Sequence, residues 1–107
     1  NLITRDSMIQ RFEYTYSLAL KMIKRYFANG AFVFDNLEGM TFNEMIRQAN
    51  KMGLLRSDLE KWDTFRQKRN LTSHTYDEKI AIEVVGIIED FAQEAEYLLE
   101  KLKEKLA

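Results

Sequence analysis

The last third of this chain leaves the fold little freedom. Ala81, Val84, Ile88, Phe91, Ala95, Leu98 and Leu102 return at alternating steps of three and four residues, the seam of a helix packed in a bundle. Val85, Leu99 and Leu106 widen that stripe. Lys101, Lys103 and Lys105 gather near its end, where cations suit the helix dipole. With no proline in 107 residues, no position lacks the backbone donor a helix needs. Alone, this segment also suits a dimeric coiled coil, but earlier amphipathic stretches favour a bundle. The expected fold class is all-α, an antiparallel up-and-down helical bundle forming a single domain over residues 1–107.

The earlier stretches are read the same way. A first helix is expected from near Thr4 to Asp6 as far as about Phe27, with Met8, Phe12, Tyr16, Ala19, Ile23 and Phe27 on its buried face. Ile9, Leu20 and Tyr26 broaden that face, so the helix should touch more than one neighbour. Tyr14 and Tyr16 are candidate site residues, with packing and interface roles favoured. Ala28-Asn29-Gly30 reads as a helix stop with a left-handed cap at Gly30 or Asn29. Phe32, Val33 and Phe34 form an apolar clump in a connection ending at Gly39. Thr41 with Glu44 is a capping-box pattern, with Met40 and Met45 placed for a hydrophobic staple. The short helix that follows should end near Lys51 or Met52, before Gly53, with Met45, Ile46 and Ala49 inward. Ser57 with Glu60 repeats the capping pattern ahead of Leu59, Trp62 and Phe65, and Trp62 is read as core rather than as a base-stacking platform.

Composition narrows function mainly by exclusion. A net charge of -1 argues against broad, nonspecific binding to nucleic acid, and Arg66-Gln67-Lys68-Arg69 is the best local basic patch. The absence of cysteine excludes disulfides and thiolate chemistry and fits a cytoplasmic protein. No apolar run approaches the ~20 residues that span a bilayer, so no membrane role is expected. One histidine and scattered carboxylates offer no metal-ligand spacing, so no metal is expected to bind. There is no glycine-rich phosphate loop, so no cofactor is expected in this chain.

The residues able to do chemistry lie close together in Arg69-Asn70-Leu71-Thr72-Ser73-His74-Thr75-Tyr76-Asp77. Seven residues make nearly two helical turns, so Arg69 points the same way as Trp62, along an otherwise apolar stripe. A half-buried guanidinium needs an anionic partner: an acid on a neighbouring helix, an acid across a dimer interface, or a phosphate. Glu13 is the candidate counter-charge. Asn70 and His74, four apart, are placed to share a helix face. Thr75 with Glu78 is a further capping-box pattern, which would make Thr75 the N-cap (Ser73 is the alternative) and put His74 in the corner between two helices. The first N–H groups of the second helix would favour an anion in that corner. Imidazole is the natural acid–base group near neutral pH, and guanidinium steadies charge developing on a phosphate. Together they suit attack of a ribose 2′-hydroxyl on its own phosphodiester, which requires no metal. A hydrogen-bonded surface pair is the plainer reading of the same spacing.

The run Arg69-Asn70 to Tyr76-Asp77 resembles the Arg-x4-His signature of the HEPN superfamily, and most closely its branch of nucleotidyltransferase substrate-binding proteins. Arg5-Asp6-Ser7-Met8-Ile9-Gln10-Arg11-Phe12-Glu13-Tyr14-Thr15-Tyr16 resembles the opening of the long helix in that branch. The resemblance spans essentially all of the chain. It implies a helical bundle that forms homodimers, with a minimal nucleotidyltransferase as partner and ATP and Mg required only by that partner. For many superfamily members it implies a metal-independent endoribonuclease, often a toxin held in check by an antitoxin. Carried onto this chain, Arg69 and His74 are the catalytic pair with Asn70 in support, RNA is the substrate with no DNA specificity, and Glu13 and Asp77 are candidate supporting residues. Tyr76 occupies the place of a tyrosine that accepts AMP from the partner and thereby silences the nuclease. The alternative is a noncatalytic subunit that presents a nucleotide or other substrate to the nucleotidyltransferase. Relatives usually carry a further helix before the first block, so this chain reads as either a fragment or a shortened member.

Overall fold

A computed structural model describes residues 1–31 and 39–106. The apolar clump at Phe32-Val33-Phe34 lies outside the described residues. Four α-helices carry the fold: α1 (Leu2–Tyr26), α2 (Phe42–Lys51), α3 (Leu59–Leu71) and α4 (Glu78–Leu106), and no strand occurs among the described residues. At about 1.5 Å per residue, α1 and α4 run most of the molecule's 45 Å length. This is the all-α bundle expected, but its helices do not alternate strictly up and down: α1, α2 and α4 run one way and α3 the other.

Contacts set the directions. Arg5 in the first turn of α1 bonds Glu78 in the first turn of α4, and Phe12 meets Phe91 with ring centroids 5.4 Å apart. The two long helices therefore start at the same end. α3 runs antiparallel to both. Near its start Lys61 pairs with Asp90, and near its end Lys68 pairs with Glu83, nearer the start of α4. α2 lies against α3 in the opposite sense, with Phe42 beside Arg66 at one end and the Asn50 side chain donating to the Ser57 carbonyl at the other.

An aromatic knot ties these directions together. Phe91 packs edge-on against Phe65 (5.0 Å), Phe12 (5.4 Å) and Trp62 (5.7 Å), with Tyr16 at 5.8 Å. Trp62 and Phe65 are fully buried, which places Trp62 in the core. Edge-to-face pairs add about 0.5–1.5 kcal/mol each beyond their buried area. Met45, Ile46 and Ala49 close the core from α2, as expected.

On the long helices the stripe is turned slightly from the sequence reading. Ile9 rather than Met8 is buried on α1, and Ile87 and Glu94 occupy the inner seam of α4 where Ile88 and Ala95 were expected; both of the latter are partly buried. Glu94 belongs inside because its Oε2 accepts from the backbone N–H groups of Arg56 (2.9 Å) and Ser57 (3.4 Å), which otherwise face the core unsatisfied.

The stops and starts follow local chemistry. Asn1 caps α1, accepting from the Ile3 N–H at 2.8 Å, so the helix begins ahead of Thr4. The stop at 28–30 resolves onto Gly30, which adopts φ +82°, whereas Asn29 stays at φ −85°. α2 ends in a Schellman-type turn, with Leu54 N–H to the Ala49 carbonyl at 3.0 Å and Gly53 at φ +78°. At the expected Thr41–Glu44 cap, the Thr41 hydroxyl accepts from the Glu44 N–H at 3.1 Å and donates to the Glu44 carboxylate at 3.0 Å, so the return bond goes to the hydroxyl rather than to the Thr41 N–H. The other two predicted caps sit elsewhere. Asp58, not Ser57, caps α3 through the Lys61 N–H. Asp77, not Thr75 or Ser73, caps α4, accepting from Lys79 N–H (2.9 Å) and Ile80 N–H (3.4 Å). In both places an ionised carboxylate at the helix dipole's positive end wins over a hydroxyl nearby.

Candidate functional site

The site is built where α3 runs out. After Leu71 the backbone tightens into one 3₁₀ turn, Thr72–His74, before Asp77 starts α4. The turn points Thr72 inward, 7% exposed, and leaves Ser73 and His74 in solvent. Arg69, in the last turn of α3, reaches across to α1. Its Nη1 lies 3.4 Å from Glu13 Oε2 and donates to Thr72 Oγ1 at 2.8 Å. The same hydroxyl lies 3.1 Å from Glu13 Oε2 and 2.7 Å from the Arg69 carbonyl. Having one proton, Thr72 donates to one of those two oxygens at a time while accepting from Arg69. The arginine is thus anchored through a single terminal nitrogen; no other bond from its guanidinium is found among the described residues. Arg69 and Glu13 are each about one-third exposed.

Glu13 is where the sequence placed it, as counter-charge to Arg69. Thr72 was missed: a threonine inside the motif gives no periodic signal, and only the turn after α3 carries it inward. Asn70 is exposed, and its carbonyl accepts from Ser73 Oγ at 3.4 Å. Among the described residues no hydrogen bond links its side chain to His74, because the 3₁₀ turn ends the helical spacing the two would have shared. His74 instead stands at the edge of Tyr76, with ring centroids 6.2 Å apart in a T-shaped arrangement. Tyr76 is 89% exposed. Asp77 spends its carboxylate on the cap, so the helix N–H groups expected to attract an anion are already partly satisfied.

Two further features border the corner. A cleft of about 540 Å³ separates the first turns of α1 from residues 72–78; Arg5, Gln10, Glu13, Thr72 and Tyr76 are on its walls. On the other side of Glu13, Tyr16 is buried against Trp62 and Phe91. Burial pushes its phenol up to about 12, against the pull of Arg66 and Arg69, with Asp63 adding to the rise. Among the described residues, no three His, Asp or Glu side chains are grouped to hold a metal ion, and no helix is long and apolar enough to cross a membrane.

Residues 1–104 match the family described as nucleotidyltransferase substrate binding protein like. The chain belongs to that family. A Haemophilus influenzae relative, named Probable ribonuclease HepT, is 41% identical over 107 residues, covering 96% of this chain and 73% of its own. A solved Haemophilus influenzae structure, described as revealing the fold of a substrate-binding domain of a nucleotidyltransferase, superposes with a TM-score of 0.84 at 40% identity. That match covers 92% of this chain and 73% of the other. The substrate-binding family that the two sequence blocks resembled is thus the one found, and the four helices are its fold.

Proposed function

We propose that this family member is a metal-independent endoribonuclease, partnered by a minimal nucleotidyltransferase, in which Arg69 and His74 act on one phosphodiester. The observation that carries the reading is the state of Arg69. It is a guanidinium tethered by one nitrogen to Glu13 and Thr72 and about one-third exposed, five residues before an exposed histidine. Tethering lowers the entropy lost when a phosphate binds, and leaves charge to stabilise the crowded phosphorus of the transition state. His74 takes the proton of the ribose 2′-hydroxyl as that oxygen attacks phosphorus. The 5′-oxygen leaves and accepts a proton, giving a 2′,3′-cyclic phosphate and a 5′-hydroxyl. No electrons change hands and no co-reactant is consumed. The similarity to a relative named as a probable ribonuclease supports RNA cleavage as the activity.

Tyr76 is the acceptor for AMP. Its phenol oxygen, on a ring 89% exposed, attacks the α-phosphorus of ATP held by the partner; pyrophosphate leaves and the phenol proton passes to solvent. An adenylyl group there adds bulk and negative charge next to His74 and turns away an incoming RNA phosphate.

A second reading is supported by the same exposure of Tyr76 and by the description of the solved relative: a noncatalytic subunit that presents substrate to the nucleotidyltransferase. One experiment separates the two. The purified chain, freed of its partner and shown by mass spectrometry to carry no AMP on Tyr76, is incubated with RNA in EDTA beside His74→Ala. Cleavage that His74→Ala abolishes, with unchanged circular dichroism, supports the nuclease. A folded, unmodified chain that cleaves nothing yet binds the nucleotidyltransferase is the presenting subunit.

A further inference from the structure

Four cations line α3: Lys61, Arg66, Lys68 and Arg69. Three are matched by a carboxylate on a neighbouring helix, Lys61 by Asp90, Lys68 by Glu83 and Arg69 by Glu13. Arg66 is exposed, and among the described residues it makes no ion pair or hydrogen bond. Asp63, three residues before it, accepts instead from Gln67 at 3.0 Å. Arg66 is nevertheless held in place: its guanidinium carbon lies 4.8 Å from the centre of the Phe42 ring. It stands one turn before Arg69, at a spacing that sets Cβ atoms about 5–6 Å apart. Both arginines pull on the buried Tyr16 phenol, so both charges lie within reach of one buried group on α1.

We propose that Arg66 is a second phosphate-binding residue of this site, taking the phosphate next to the one that Arg69 holds on a single-stranded RNA. The inference rests on the ribonuclease reading and adds to it where the strand runs: along α3, from the corner at His74 toward Phe42. A chain of net charge -1 cannot hold RNA by its overall field, so affinity has to come from local cations not already matched by carboxylates. Arg69 alone is largely offset by Glu13, whereas Arg66 has no carboxylate partner among the described residues. The stack on Phe42 restrains a long side chain before RNA arrives, which reduces the ordering cost of binding.

The test uses the full chain carrying His74→Ala, so that RNA is not consumed, and a fluorescent single-stranded oligoribonucleotide titrated at several salt concentrations between about 50 and about 200 mM. Arg66→Ala is expected to weaken binding about five-fold and to flatten the slope of log K against log salt by ~0.7, the value for one lost contact to a single strand. Arg66→Lys should keep the slope and lose about two-fold, because the charge stays but the planar stack is gone. A purely structural role does not alter the salt slope. Affinity and slope in Arg66→Ala equal to those of the parent, while Arg69→Ala loses binding, would overturn the proposal and leave the ribonuclease reading standing. A folded parent that binds no RNA overturns both.

Discussion

Neutralising Glu13 separates two things that its carboxylate does to Arg69. Glu13→Gln keeps the shape and an acceptor for the Thr72 hydroxyl but removes the charge 3.4 Å from Nη1. At an effective dielectric of ~20 that separation is worth about 5 kcal/mol of Coulomb energy. Each partner is about one-third exposed, so hydration and screening bring the net contribution to folding down to about 1 kcal/mol. The melting temperature should fall by about 4–8 °C. The effects on RNA should have opposite signs. With its counter-charge gone, Arg69 attracts phosphate more strongly, so binding measured in the His74→Ala background should tighten about three-fold. The guanidinium is also less well oriented. A loss of about 1.4 kcal/mol in the transition state then lowers kcat about ten-fold, read as EDTA-resistant cleavage with saturating RNA. Weaker binding with kcat unchanged would refute the reasoning, because Glu13 would then be recruiting substrate rather than holding Arg69.

Three further outcomes follow from the same contacts. Thr72→Val keeps the volume but removes the bridging hydroxyl; it should cost about 1 kcal/mol in urea denaturation and lower kcat, and Thr72→Ser should restore both. Glu94→Ala strips the acceptor from two backbone N–H groups and leaves a cavity, so the urea midpoint should fall by an amount worth about 2–4 kcal/mol with the m-value unchanged, while Glu94→Gln should lose less than half of that. Tyr16 should make the fold alkali-sensitive. Its phenol is raised to about 12 in the folded chain, so between pH ~10 and 12 the unfolded chain releases that proton first and stability drops as pH rises, by at most about 3 kcal/mol. Tyr16→Phe should flatten the decline in melting temperature above pH ~10.

What the sequence reveals about this molecule, and what it hides, divides along a physical line. Helices and the Thr41–Glu44 cap are local: each depends on residues within about one turn and lies close to where the pattern places it, while the apolar stripes of α1 and α4 are turned slightly from it. The pairing of Glu13 with Arg69 was also legible, because an arginine on an apolar stripe demands an anion and the first helix offers one inside its sequence block. The misplacements involve side chains whose partner is set by context that the spacing does not carry. Asp58 and Asp77 outcompete neighbouring hydroxyls as caps only once the backbone turns there. Glu94 continues the seam from Phe91 to Leu98 at allowed helical steps, yet an acid at such a position reads as surface until the N–H groups of residues 56 and 57 arrive beneath it.

Thr72 is the clearest case, and it bears on function. In an uninterrupted helix it would have been one more small polar residue after Arg69. The 3₁₀ turn changes its direction, makes it the bridge between α1 and α3, and at the same step separates Asn70 from His74. The end of α3 therefore does two things at once. It holds Arg69 rigidly from behind, and it leaves His74 and Tyr76 free of the helix on the exposed side. A continuous helix through this motif would bury the hydroxyl's role and realign the histidine with Asn70. Under the proposed ribonuclease function, it is this break, rather than a continuous helix, that would offer Arg69 and His74 to one phosphate.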